Sequence, residues 1–272
     1  MTEYLDVRQL FNAELQNWRE LWGSAKSPGE GLINLLNKTL WVPDSELQLP
    51  ILAAYMLSNT KWCKCLPIVF NYGPPGTGKS TAALIAAELH DSEILSSTST
   101  YASIRNRIQS ARYLDPGKEK QEADGALLAW DNVNSFTLDN PDILNVFLGG
   151  YKRGSDLIQI ASGEAGTNLS FRCFCSKMIS SVHPLFNKYE LRELKRRLIV
   201  IFHEKCSTKP LELVEIDEVD WTDFYLDGYW PLYQSSVDAK LFHKNWLSCK
   251  RLVYSSEAWD DNRNSLCRNL IA

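Results

Sequence analysis

The sequence predicts an α/β fold, a three-layer sandwich around a central, mostly parallel sheet. Three stretches predict it. Leu66–Tyr72 is short, apolar and β-prone; it runs into the glycine-rich Gly73–Thr81, and Ala82–Leu89 then supplies strong helix formers without a breaker. Ala126–Trp130 is a second apolar run, closed by Asp131. Leu198–Phe202 is a third, preceded by the basic, helix-prone Leu191–Arg197. Strand-length apolar runs that alternate with helical patterns argue for parallel strands joined by crossovers.

The segment Gly73-Pro74-Pro75-Gly76-Thr77-Gly78-Lys79-Ser80-Thr81 has the spacing G-x-x-x-x-G-K-S, and it stands between a strand and a helix. That is the context in which the pattern forms a phosphate-binding loop. Gly73, Gly76 and Gly78 let successive N–H groups turn inward, and the helix that follows points its positive end at the same spot. Lys79 reaches β- and γ-phosphates, and the Ser80 hydroxyl suits Mg²⁺. A plain glycine turn has no need of Lys79 and Ser80 in register. The sequence therefore predicts ATP and Mg²⁺ as cofactors. Asp131, at the end of its strand, is the expected second protein oxygen for the metal, because Mg²⁺ prefers hard oxygen ligands beside the phosphates.

The chain has 272 residues, 44% of them hydrophobic, enough for one α/β core with helical additions. Its net charge of −4 gives no global basic field of the kind that advertises nucleic acid. Seven cysteines include two C-x-C pairs and no C-x-x-C, which favours reduced thiols over zinc or a disulfide framework. The first residues lack a basic segment and an apolar run, and no stretch is apolar enough to span a bilayer. A cytoplasmic protein with no membrane partner is expected.

Three regions are expected: helices over 1–42, the nucleotide-binding core over 43–206, and an aromatic-rich helical part over 207–272. In the first, Thr2 to about Leu40 has helical spacing, broken at Ser24–Gly31. Asp44 or Ser45 caps a helix whose apolar face is Leu47, Ile51, Tyr55 and Met56. After the loop helix come a short strand at Glu93–Ser96 and a helix capped by Thr100 that carries Ile104, Ile108 and Ala111. Arg105, Arg107 and Arg112 lie elsewhere on that helix, as a solvated face. Pro141–Val146 reads as a short helix stopped by Gly149-Gly150. Asp156–Ile160 and Leu169–Phe174 form a β-hairpin turned at Gly163–Thr167, and Lys177–Ser181 is a buried strand with a polar end. The aromatics from Trp221 to Trp259 read as the packing of a helical cap, ahead of any base-stacking role.

The order of phosphate loop, Asp-ended strand, hairpin, polar-ended strand and arginines before a final strand resembles the AAA+ class of ring-forming ATPases. More narrowly, it is similar to the superfamily 3-like helicase domains of phage- and plasmid-type replication proteins, which are often found with primases. The matching text runs from Trp41 to His203 and includes Gly149-Gly150-Tyr151-Lys152-Arg153-Gly154 and Phe171–Ser181. The resemblance implies a P-loop core of AAA+ type, ATP hydrolysis, and a homo-oligomer in the form of a hexameric ring. It makes Ser181, or its neighbour Ser180, the sensor near the γ-phosphate. It makes Arg197, or Arg196, the finger that enters a neighbouring subunit's site. Single-stranded DNA and a primase or another replication protein are the partners it implies, with the hairpin facing the pore.

Two departures qualify the helicase expectation. Asn132 stands where the resemblance expects a Glu, and Asn can orient water but cannot take a proton. The hairpin turn carries Glu164 and no cation, so DNA contacts would fall to Lys152, Arg153 and Arg172, off the tip. The first expectation is a DNA-translocating ATPase in replication. The alternative is a slow or non-hydrolysing ATP-dependent switch that oligomerises as a ring or filament and remodels a protein partner. A small-molecule kinase ranks third.

Overall fold

The structure is a computed structural model, and it describes residues 25, 28–57, 65–90, 92–110, 127–161, 168–185 and 191–205. Most of 1–42, all of 207–272, Arg112 and the hairpin tip with Glu164 lie outside the described residues.

Helix α1 covers Pro28–Thr39 and α2 Ser45–Met56. Strand β1, Ile68–Tyr72, leads through the glycine loop into α3, Lys79–Leu89. Then come β2 (Ile94–Leu95), α4 (Tyr101–Ser110) and β3 (Leu127–Trp130). Two short helices follow, α5 (Ser135–Asp139) and α6 (Pro141–Gly149). The hairpin is β4 (Leu157–Ala161) and β5 (Asn168–Arg172). Strand β6 (Ser176–Ser181), α7 (Arg192–Lys195) and β7 (Leu198–Phe202) complete the order.

Five strands make one sheet in the order β2-β3-β6-β1-β7, and every pairing in it is parallel. Both faces are covered, which is why these strands read as continuous apolar runs. Alternate residues serve opposite layers. Val69, Ala129, Met178 and Ile201 pack with α1, α2 and α3. Phe70, Leu128, Trp130, Ile179 and Leu198 pack with α4, α6 and α7. The hairpin is a separate antiparallel ribbon, pairing Leu157 with Arg172 and Ala161 with Asn168.

Several local expectations shift. Helix α1 begins inside the expected break, because Pro28 sits in its first turn, where a missing N–H costs nothing. Leu47 is 63% exposed and belongs to no core face; Leu49, Leu52, Ala53, Tyr55 and Met56 are the buried positions of α2. Asp44 precedes that helix in a left-handed conformation, and its side chain makes no capping bond. Thr100 does cap α4, its Oγ1 accepting from Ser103 N at 3.2 Å. The face assigned to solvent is partly committed: Arg105 stacks over Phe171, and Arg107 pairs with Glu93 at 3.1 Å.

Lys177, at the amino end of β6, is 1% exposed. Its Nζ donates to Gly150 O at 2.8 Å, Cys175 O at 3.0 Å and Cys173 O at 3.1 Å. Three carbonyls match the three donors of an ammonium. They come from the end of α6 and from the link between β5 and β6, so this side chain ties the root of the hairpin to the sheet. Among the described residues the thiols of Cys65, Cys173 and Cys175 are reduced, and no described helix is long and apolar enough to cross a membrane.

Candidate functional site

The chain leaves β1 toward α3 on one layer and leaves β6 toward α7 on the other. Adjacent parallel strands that exit to opposite faces open a crevice at their carboxyl ends, where α/β sheets take ligands. The glycine loop lies at that crevice. Gly76 and Gly78 have φ of 70° and 84°, which side chains rarely tolerate. Gly73 is a different case. A Cβ there would stand 2.1 Å from the carbonyl oxygen of His203, so close approach of β7's end, and not a left-handed turn, demands glycine.

Ser80 Oγ donates to Asp131 Oδ2 at 2.7 Å, closing the loop onto the end of β3. Asn132 Nδ2 donates to the same oxygen at 3.3 Å. Ligand oxygens at right angles around Mg²⁺ lie about 3 Å apart, given its octahedral bonds of about 2.1 Å. The Ser80–Asp131 pair already has nearly that separation. Among the described residues no group of three or more His, Cys, Asp or Glu gathers to hold a metal unaided. A Mg²⁺ that shares phosphate oxygens and water needs only one or two protein ligands, so the pair fits.

Lys79 is buried, and its Nζ donates to Pro74 O and, at 3.3 Å, to Thr77 Oγ1. Thr77 Oγ1 in turn donates to Pro74 O at 2.8 Å. Burial pulls the Lys79 pKa below its ordinary value, and the Asp131 carboxylate opposes that pull. Phosphate oxygens carry full charge and are stronger acceptors than these neutral loop oxygens. Pro75 lies between these anchors, and Thr81 follows them in the first turn of α3.

Asn132 has φ of 55°. Asn tolerates the left-handed region far better than Glu does, because its short amide bonds locally. The local backbone thus accounts for Asn at this position. Ser180 and Ser181 are both buried at the carboxyl end of β6. Ser180 Oγ lies 3.4 Å from Lys79 O, at the start of α3, whereas Ser181 Oγ accepts from His183 N at 3.1 Å.

The arginines stand at the opposite pole. Arg197 O accepts from Ile68 N at 2.8 Å, which fixes it at the amino ends of β1 and β7, away from its own phosphate loop. Its guanidinium stacks over Tyr151 at 5.1 Å, donates to Leu148 O and lies 3.9 Å from Glu193. The Arg196 side chain is 64% exposed, with Glu193 at 3.3 Å. Leu66 N donates to Tyr151 O at 2.9 Å, so Lys152 and Arg153 share this pole. Arg153 stacks over Phe174 at 5.0 Å, and Arg172 pairs with the buried Asp156 at 3.4 Å. Lys152 is exposed.

Two residues escaped the sequence reading. His203, 1% exposed, faces Thr77 O with Nδ1 at 3.2 Å and Asn71 Oδ1 with Nε2 at 3.2 Å. Desolvation lowers its pKa to about 4, with a smaller contribution from the Lys79 charge, against the bond to Thr77. Asn71 is fully buried in β1, and its Nδ2 has no partner among the described residues. A polar residue inside the apolar run Ile68–Tyr72 was the available signal. Neither a protein-family model nor a curated protein matches this chain.

Proposed function

We propose that the chain binds ATP with Mg²⁺ at the Gly73–Thr81 loop and hydrolyses it, as an AAA+-type ATPase that assembles head to tail. The observation that carries this reading is the Ser80–Asp131 contact of 2.7 Å. It joins two motifs found independently in the sequence at one crevice. Loop amides and Lys79 would hold the phosphates, and Ser80 and Asp131 the metal. A metal there neutralises charge that develops on the transferring phosphoryl group. Assembly follows from the second pole. Arg196 and Arg197 cannot reach their own loop, so an arginine that acts in the reaction must come from another subunit. Between the two, Arg196 carries the role, since Arg197 is committed to Leu148 and Tyr151. A contact between opposite poles is heterologous, and it closes into a ring when the rotation permits.

The replication-motor reading adds single-stranded DNA, reached through Lys152, Arg153 and Arg172, and a primase or similar partner. The switch reading, with slow turnover, is favoured by Asn132, which supplies no proton acceptor, and by the engagement of Arg153 and Arg172 within the chain. One set of measurements separates them: nucleotide binding, ATP turnover with and without single-stranded DNA, and particle size with a non-hydrolysable analogue. Lys79→Ala and Asp131→Asn should abolish Mg²⁺-dependent binding. Micromolar affinity retained in Lys79→Ala would remove the loop from the mechanism. DNA-stimulated turnover selects the motor, and analogue-dependent assembly with little turnover selects the switch.

A further inference from the structure

Three adjacent strands end in buried polar side chains directly beneath the phosphate loop: Ser180 on β6, Asn71 on β1 and His203 after β7. Asn71 and Ser180 are in register, and all three face the α3 layer by strand alternation. Only His203 touches the loop between its glycines. We propose that His203 is a positioning residue for the nucleotide, which sets the conformation of the phosphate loop through the carbonyl of Thr77. The proposal rests on the nucleotide reading above and goes beyond it by adding a residue that no phosphate-loop motif contains.

Thr77 O can only accept, so the ring nitrogen 3.2 Å away must carry the proton. In a trans peptide the carbonyl and the following N–H point in opposite directions. Holding Thr77 O down toward β7 therefore turns the Gly78 N–H up, into the concave side of the loop. A second contact acts from the same residue. The His203 carbonyl abuts Gly73, and His203 N donates to Tyr72 O at 2.8 Å. One residue thus braces the loop at its entrance and near its helical end.

The ring's two neighbours fix its state. With the proton on Nδ1, a neutral ring leaves Nε2 as an acceptor. The Asn71 amide satisfies it when turned end for end, so that Nδ2, which otherwise lacks a partner among the described residues, faces the ring in place of Oδ1. The amide orientation and the tautomer are therefore linked.

The test compares three substitutions in the full chain. Asn places an amide where Nδ1 was, Gln places one where Nε2 was, and Phe keeps volume without a donor. Titration with a fluorescent ATP analogue and Mg²⁺ should show His203→Phe weakened about tenfold or more. His203→Asn should recover to within about threefold, and His203→Gln should not. Nitrogen-15 shifts of the ring should report the Nδ1–H tautomer. Equal affinities for the Asn and Gln variants at matched thermal stability, wild-type affinity in His203→Phe, or an Nε2–H ring would overturn the proposal. If His203→Phe fails to fold, the Asn and Gln pair still decides it. A wild-type chain that binds no nucleotide overturns this proposal and its parent together, whereas binding abolished by Lys79→Ala but indifferent to His203 overturns this one alone.

Discussion

The carbonyl oxygen of His203 occupies the space a side chain on Gly73 would need, 2.1 Å from the position of its Cβ. The backbone oxygen cannot swing aside without moving β7. Gly73→Ala should therefore lose about 1–3 kcal/mol by overpacking, and nucleotide affinity should fall with it. Gly76 has open space around it and only a positive φ, so Gly76→Ala should lose about 1–2 kcal/mol from backbone strain alone. Denaturant midpoints of the two variants, measured side by side, check the order. A Gly73→Ala protein as stable as the parent would mean that β7 ends elsewhere.

Asn132→Glu places a carboxylate beside the expected water site. Its turnover should rise by about a hundredfold, the low end of what a positioned base contributes. The variant should also lose about 1 kcal/mol, because Glu is poorly suited to φ of 55°. Asn132→Gly should keep stability and gain no turnover. Steady-state phosphate release and thermal melting read both quantities, and an unchanged rate in Asn132→Glu would point to a base already in place.

The two arginines should part company under mutation. Arg196→Ala should leave stability within about 0.5 kcal/mol, as exposed ion pairs contribute little, yet abolish most turnover. Arg197→Ala should lose about 1–2 kcal/mol, through its stack on Tyr151 and its bond to Leu148 O. Mixing Lys79→Ala subunits with Arg196→Ala subunits should restore turnover above either variant alone, because some interfaces then pair an intact loop with an intact arginine. No recovery in the mixture would exclude action between subunits.

Stability should fall in mild acid because of His203. Its pKa drops from 6.5 to about 4 on folding, so the unfolded chain takes up the proton first. The contribution is complete above the unfolded value and is lost as pH falls through the window between the two. From pH 7 to pH 5 that amounts to about 2 kcal/mol. His203→Asn lacks this component, so the difference between the two proteins' unfolding free energies should narrow by that amount over the same range. A constant difference would mean the ring is not desolvated.

What the sequence made legible was local. The phosphate loop is nine consecutive residues, and its strand and helix are contiguous with it. Asp131 could be placed because it ends an apolar run, and parallel neighbours bring strand ends together. The side of a helix that meets the core is not local information: Leu47 has the right spacing, yet α2 lies on its other residues. Helix α5, five residues long and too short to show a helical period, was not read from the sequence; Asn134 caps it at Thr137 N. His203 and Lys177 were illegible for a shared reason. The contacts that place them, Thr77 O for His203 and three carbonyls for Lys177, are to backbone atoms, which every residue carries, so no residue type marks them.

Lys177 also decides how force would pass through the molecule. Pulling its ammonium off three carbonyls would strand a buried charge, at a cost of several kcal/mol. The ribbon of β4 and β5 is consequently bolted to β6 at its base and does not swing on a loose tether. Strand β6 then runs six residues, roughly 20 Å, to Ser181 at the sheet edge that carries the glycine loop. A tug on the ribbon arrives there as the sliding of one stiff rod.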